Sequence, residues 1–233
     1  ALGSRRIRGG RDPYGAHAPA STIFPLLAMV VMDQVAPEAA MRATAANTDV
    51  ECSCVGLVPG AVYTARQLLD ALLMVSGNDA ANALADMVGG YRVAVQKMNF
   101  KAAQLGARNT RAGSPSGLDG PGWESVTTAH DLAVIYRAAL NYPLFTQIIH
   151  QSTASFPDGR GGVKQIASHD DLLPDYPGFI GGKTGYTNLA KETYVAMAQR
   201  GGTRLVAVMM YGSDDLWDQG RALLDWGFSQ SGQ

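Results

Sequence analysis

The chain has 233 residues, 46% of them apolar and 17% charged, with a formal net charge of −1. That balance excludes a disordered chain, leaves enough length to bury a large core, and gives no reason to expect nucleic acid as a partner. The longest apolar run, Ile23 to Met32, is too short to span a bilayer and reads as a core helix.

The first eighteen residues are rich in Gly, Arg and turn signals, with at most a weak edge strand around Arg5 to Gly10. The arginines there (Arg5, Arg6, Arg8, Arg11) read as a solvated edge. No signal peptide is visible, and a mature chain would look the same. From Ser21 a helix is expected to about Val35. Pro25 disfavours helical geometry at Phe24, so a later start at Pro25 is the competing reading and would take Ser21 off the helix.

Residues 38 to 63 read as irregular. Cys52 and Cys54 read as plain loop cysteines, because a disulfide across a single residue is strained and uncommon. Thr64 with Gln67 forms a capping box opening a helix with Leu68, Leu69, Leu72 and Leu73 at helical spacing. Helices are expected next over Asp79 to Val88 and Tyr91 to Leu105, each ended by glycine. Gly113 to Gly122 is a loop by composition. Thr128, with Asp131 three residues on, caps a helix from Ala129 to about Leu140, and a short helix follows around Leu144 to His150. Beyond residue 150 the texture changes to strands over Gln151 to Phe156, Val163 to Ser168, Phe179 to Thr184, Thr193 to Gln199 and Arg204 to Tyr211, then a helix from Asp215 to Phe228.

Three short motifs fall in order: Ser21 at a helix start, Ser76-Gly77-Asn78 at a corner between helices, and Lys183-Thr184-Gly185 on a strand. Ser-x-x-Lys, Ser-Asp-Asn and Lys-Thr-Gly are the set used by penicillin-binding proteins and class A β-lactamases. Each string alone is weak. Their order and contexts are specific: Pro19-Ala-Ser-Thr22, Leu72 to Ala81, Asn109 to Asp119, Gly181 to Thr187, and the closing Leu224-Asp-Trp-Gly-Phe228. With these the chain resembles the D-alanyl-D-alanine carboxypeptidases, low-molecular-weight penicillin-binding proteins of the serine type, with an actinobacterial look. The likeness covers nearly the whole chain and thins before Arg11.

The resemblance implies an α/β fold of the penicillin-binding-protein/β-lactamase-like type. An antiparallel sheet is flanked by the first and last helices, with a helical lobe beside it; residues 1–36 and 151–233 form the sheet lobe and 37–150 the helical lobe of one transpeptidase-like domain. It implies hydrolysis of peptidoglycan stem peptides ending in D-Ala-D-Ala, binding of β-lactam antibiotics, and a location on the cell-wall side of the membrane, with a membrane anchor conceivable outside this sequence. No metal or organic cofactor is implied. Ser21 would be the nucleophile, and Ser76 would relay protons to the leaving amine. Asn78 would hold the substrate amide. Lys183 and Thr184, with Gly185 beside them, would hold the substrate carboxylate. The N–H groups of Ser21 and Tyr186 would form the oxyanion hole.

The chain departs from the pattern at Phe24, where the resemblance expects the general-base lysine. Phenylalanine accepts no proton, and no lysine precedes Lys97. Loss of a positioned base commonly removes 10²- to 10⁴-fold of rate. The expectation is therefore a carboxypeptidase-type cleft with impaired turnover. The alternatives are a non-catalytic peptidoglycan or β-lactam binder and, third, a β-lactamase. In isolation Ser21 could be a simple N-cap and Asn78 a helix-corner residue. His169-Asp170-Asp171 reads as a solvated loop. His17, His130 and His150 are scattered and no Gly-x-Ser-x-Gly elbow exists, which disfavours a Ser-His-Asp hydrolase.

Overall fold

The computed structural model describes residues 7–173, 175–212 and 215–230. Its centre is α1 (Phe24–Gln34), whose first eight residues are all buried. Fully burying a Leu, Val or Met side chain contributes about 1.5–3 kcal/mol, so this apolar stretch has one stable place, inside. Around α1 pack α3 (Ala65–Met74), α4 (Asn78–Met87), α5 (Tyr91–Leu105) and α6 (Ala129–Ala139). A short helix α2 (Ala45–Thr48) lies against α4, and α7 (Pro143–Ile149) against α3.

The larger sheet has three antiparallel strands, β5 (Phe179–Thr187), β6 (Lys191–Arg200) and β7 (Thr203–Gly212), in the order β5-β6-β7. Side-chain alternation along β6 divides the core in two. Val195 and Met197 face the cluster built on α1, whereas Tyr194, Ala196 and Ala198 face Leu216 and Leu224 of α8 (Leu216–Ser229). The first and last helices thus cover opposite faces of the sheet, an α/β arrangement with a helical group alongside. The hairpin β3 (Thr153–Pro157) with β4 (Val163–Ala167) is a separate antiparallel pair whose Phe156 and Ile166 join the α1 core.

Most expected elements are present within a residue or two, including the Thr64–Gln67 capping box and the Thr128 cap on Asp131. Four points differ. The stretch taken as irregular contains α2 and a two-stranded sheet of β1 (Ala40–Arg42) and β2 (Val62–Thr64). The weak strand around Arg5 to Gly10 lies partly outside the described residues, and residues 7–10 carry no strand. The helix expected from Ser21 divides into a 3₁₀ turn, Ala20–Ile23, and α1 from Phe24. Cys52 and Cys54, taken as plain loop cysteines, form a disulfide. A loop this short removes little chain entropy, roughly 1.6 kcal/mol on the loop-closure relation, so its effect is local. Among the described residues no helix is long and apolar enough to cross a membrane.

Asp79, buried at the start of α4, organises the irregular segment before it. Its carboxylate accepts the N–H groups of Val55 (3.0 Å), Gly56 (2.9 Å) and Leu57 (2.9 Å). Its charge also sits in the first turn of α4, at the positive end of the helix dipole. Asp79→Ala would leave these donors without an acceptor. Urea denaturation is expected to show a loss of roughly 3–5 kcal/mol; a loss below about 1 kcal/mol would mean that water satisfies the segment instead.

Candidate active site

The 3₁₀ turn sets the aim of Ser21. Phe24 takes helical angles (φ −53°, ψ −31°) despite Pro25, and its N–H bonds the carbonyl of Ser21. Pro25 falls in the first turn of α1, where a missing N–H costs nothing. In a 3₁₀ turn residues i and i+3 eclipse, so Ser21 and Phe24 share one face and Ser21 is not carried away from it. Ala20 enters the turn at φ +50°, a strained angle for a residue with a Cβ. The surroundings enforce it. Tyr136 Oη donates to the carbonyl of Thr22 at 2.9 Å, and Thr193 Oγ1 donates to that of Pro19 at 3.0 Å.

Two close approaches require glycine. At Gly117 (φ +73°) a Cβ would stand 2.1 Å from the Ala20 carbonyl oxygen, and at Gly185 it would stand 2.8 Å from the Ser21 nitrogen. The loop bearing Gly117 is fastened to β5 by Thr187 Oγ1 donating to Asp119 Oδ2 at 2.8 Å. Loop, turn and edge strand β5 therefore close on one another around Ser21.

Ser76 lies at the corner between α3 and α4, also at positive φ (+59°). Its hydroxyl accepts from Lys183 Nζ at 2.8 Å, which also donates to the carbonyl of Thr184 at 2.7 Å. The same Nζ stands 5.3 Å from the centre of the fully buried Phe24 ring, within range of a cation–π contact. Lys183 is 4% exposed. Burial lowers its pKa to about 7, opposed by the charge of Asp170. Asp170 is raised to about 6, mainly by burial, while accepting from Tyr194 Oη at 2.9 Å and from the N–H of Leu172 at 3.0 Å.

Asn78 donates through Nδ2 to the carbonyl of Glu51 at 2.8 Å. Its Oδ1 is buried with no partner among the described residues, an arrangement that costs about 1–3 kcal/mol.

A cleft of about 290 Å³ brings these groups together. Ser21, Ser76, Asn78, Thr184, Gly185 and Tyr186 line it, with Lys183 just beneath through its bond to Ser76 and Phe24 beneath Lys183. The motif residues, scattered over more than 160 positions, thus meet in one place. A second cavity, lined by Leu140, His150 and Arg204 among others, holds none of them. Asp170 corrects the reading of residues 169–171 as a solvated loop: it is buried beside Lys183, and exposed His169 lines the cleft. The sequence gives Asp79 and Thr193 no part beyond opening a helix and a strand, and each anchors a distant segment. A Ser-Gly-Asn-Asp corner signals the former only if Asp79 is read as an anchor for a distant loop.

A family profile described as D-alanyl-D-alanine carboxypeptidase matches residues 27–214. The chain belongs to that family. The match begins just after Phe24, so the Ala20–Ile23 turn itself lies outside it. D-alanyl-D-alanine carboxypeptidase DacB2 of Mycobacterium tuberculosis is 54% identical over 237 residues, covering 100% of this chain and 81% of that protein. DacF of Bacillus subtilis, a carboxypeptidase of the same description, is 30% identical over 91% of this chain and 56% of its own length. Among solved structures, a D-alanyl-D-alanine carboxypeptidase from Mycobacterium tuberculosis superposes with a TM-score of 0.94 at 55% identity, covering 98% of this chain and 88% of that one. The Streptomyces K15 DD-transpeptidase gives 0.86 at 28% identity over 95% and 91%. The family's α/β fold, with its antiparallel sheet between helices, is the one described above.

Proposed function

We propose that this protein is a serine-type D-alanyl-D-alanine carboxypeptidase that acylates on Ser21, acts on peptidoglycan stem peptides ending in D-Ala-D-Ala, binds β-lactams, and turns over slowly because Phe24 stands where the family motif has its lysine. The observation that carries the reading is the Lys183–Ser76 bond in a cleft that also presents Ser21 and Asn78. Residues 1–36 and 151–233 act as the sheet lobe and 37–150 as the helical lobe of one catalytic domain, with the cleft between them.

In this scheme the Ser21 oxygen attacks the carbonyl of the penultimate D-alanine. The N–H groups of Ser21 and Tyr186 receive the developing negative charge. That β5 backbone lies against the Ser21 nitrogen supports the assignment. Lys183, when charged, and the Thr184 hydroxyl hold the terminal carboxylate. The proton lost by the Ser21 hydroxyl passes through Ser76 to the departing amine of D-alanine as the scissile C–N bond breaks, and water then hydrolyses the Ser21 ester. Asn78 Oδ1 gains the partner it lacks from a substrate amide N–H. As an edge strand, β5 can also pair its backbone with an extended peptide. The Cys52–Cys54 disulfide supports an oxidising location outside the cytoplasm.

Phe24 itself favours a second reading, a binder of stem peptides or β-lactams without turnover. Intact-mass spectrometry after incubation with benzylpenicillin separates the two. The expected result is slow formation of an adduct that peptide mapping places on Ser21. A folded protein that binds the drug saturably and never forms the adduct would establish the binder.

A further inference from the structure

Asn78 is gripped by a segment that none of the three motifs includes. Glu51 and Ser53 place their carbonyl oxygens on it: Glu51 O accepts from Asn78 Nδ2 at 2.8 Å, and Ser53 O accepts from the Asn78 N–H at 2.7 Å. Cys52 lies between them, and Glu51, Cys52 and Ser53 line the cleft. This segment has neither helix nor strand, and residues 51–53 are exposed. No ladder of backbone bonds fixes its peptide planes. The bonds to Asp79 begin only at Val55; residues 51–53 are tied by their two bonds to Asn78 and by Ser53 Oγ donating to the Val75 carbonyl at 3.4 Å.

The covalent restraint on them is the Cys52–Cys54 bridge. It closes a ring that contains Ser53 and the peptide on either side of it, so the Ser53 carbonyl cannot rotate without moving both cysteines. Because Nδ2 is committed to Glu51 O, Asn78 Oδ1 must face the other way, which is where it stands buried and unpartnered.

We propose that the Cys52–Cys54 disulfide is a positioning element for Asn78: its ring fixes the Ser53 carbonyl on the Asn78 N–H and tethers Cys52, to which the Glu51 carbonyl is joined, and so keeps the side-chain amide in the orientation that offers Oδ1 to a ligand amide. Opening the bridge releases the Ser53 carbonyl and the tether on Cys52 beside Glu51, and the amide turns to satisfy its own oxygen. The value of Oδ1 to a ligand rests on the function proposed above; the grip on Asn78 does not. Since so short a loop contributes little to overall stability, the local effect can be separated from unfolding.

The test compares the oxidised protein with protein reduced by tris(2-carboxyethyl)phosphine, in which the S–S bond takes two electrons from the phosphine and two protons from water, leaving two thiols and a phosphine oxide. In ¹⁵N-labelled protein the Asn78 side-chain NH₂ signals, assigned by their loss in Asn78→Asp, are expected to shift and to exchange with solvent about tenfold faster on reduction, with Tm lowered by only a few degrees. Unchanged signals overturn the proposal, as does global unfolding on reduction. In a Ser21→Ala background, benzylpenicillin affinity is expected to fall about tenfold on reduction, to return on reoxidation, and to be equally low in Cys52→Ser/Cys54→Ser. With Asn78→Ala added, redox state should no longer matter. A redox effect that survives Asn78→Ala overturns the proposal. Signals that respond as expected in a protein that binds no penicillin when oxidised would uphold the grip on Asn78 and overturn the function proposed for the cleft.

Discussion

Phe24→Lys is expected to raise the rate of Ser21 acylation by penicillin by 10²- to 10⁴-fold, the usual contribution of a positioned general base. The 3₁₀ turn is the reason to expect so much from one substitution. It eclipses positions 21 and 24, so a lysine there would rise along the face that carries the hydroxyl. Its protonation state is favoured too. The Phe24 ring centre lies 5.3 Å from Lys183 Nζ, and both side chains are buried beneath the cleft. Two ammonium groups that close in a desolvated pocket cannot both stay charged, and the amine that gives up its proton is a base. The same crowding should cost stability, roughly 3 kcal/mol for the lost burial of the ring, so the variant should be faster and less stable at once. Phe24→Met supplies bulk without a base and should leave acylation unchanged. Stopped-flow acylation with the three proteins decides the matter. A Phe24→Lys variant no faster than the parent would place the defect elsewhere, in the Ala20–Pro25 backbone.

Local patterns in the sequence disclose most of the elements, and most of the motif residues they single out line one cleft. The capping box at Thr64–Gln67, the glycine after Leu105 and the alternation along β6 each act over a few residues, so a window of sequence contains the whole signal. Pairings across distance do not announce themselves this way. Ala40–Arg42 and Val62–Thr64 are three residues each, too short for alternation to show, and they form only because they meet. Cys52 and Cys54 are bridged although a ring across one residue looks costly in isolation, and no local pattern in the sequence announces the closure. Asp170 was misread for the complementary reason. A run of His-Asp-Asp suggests solvent, and the buried side chain that donates to both oxygens of the middle carboxylate, Tyr194, stands on a strand more than twenty residues later. The start of α1 lay between two readings, and the 3₁₀ turn resolves them by keeping Ser21 in line while Pro25 occupies a first-turn position.

Affinity for a penicillin carboxylate should depend on pH through Lys183, and the sign follows from its burial. The amine titrates near 7 in the folded protein, against an ordinary value of 10.5, because desolvation disfavours the ammonium. Between these values the unfolded chain binds a proton that the folded chain does not, so this group makes stability rise with pH across that window. Asp170, raised to about 6 from 3.8, acts in the opposite sense between those values, where the folded chain holds the extra proton. Ligand capture follows the folded-state protonation of Lys183. If the carboxylate requires the ammonium, dissociation constants measured with Ser21→Ala should increase about thirtyfold from pH 6 to pH 8.5, the value for a single proton with a pKa near 7. Isothermal titration at several pH values should also show proton uptake on binding above pH 7. Lys183→Arg keeps its charge throughout and should bind with little pH dependence, whereas Lys183→Met should bind weakly at every pH. The Asp170 charge supports the ammonium, so Asp170→Asn should move the whole profile toward lower pH. A flat profile for the parent would mean that Thr184 and the backbone of β5 hold the anion without the lysine's charge.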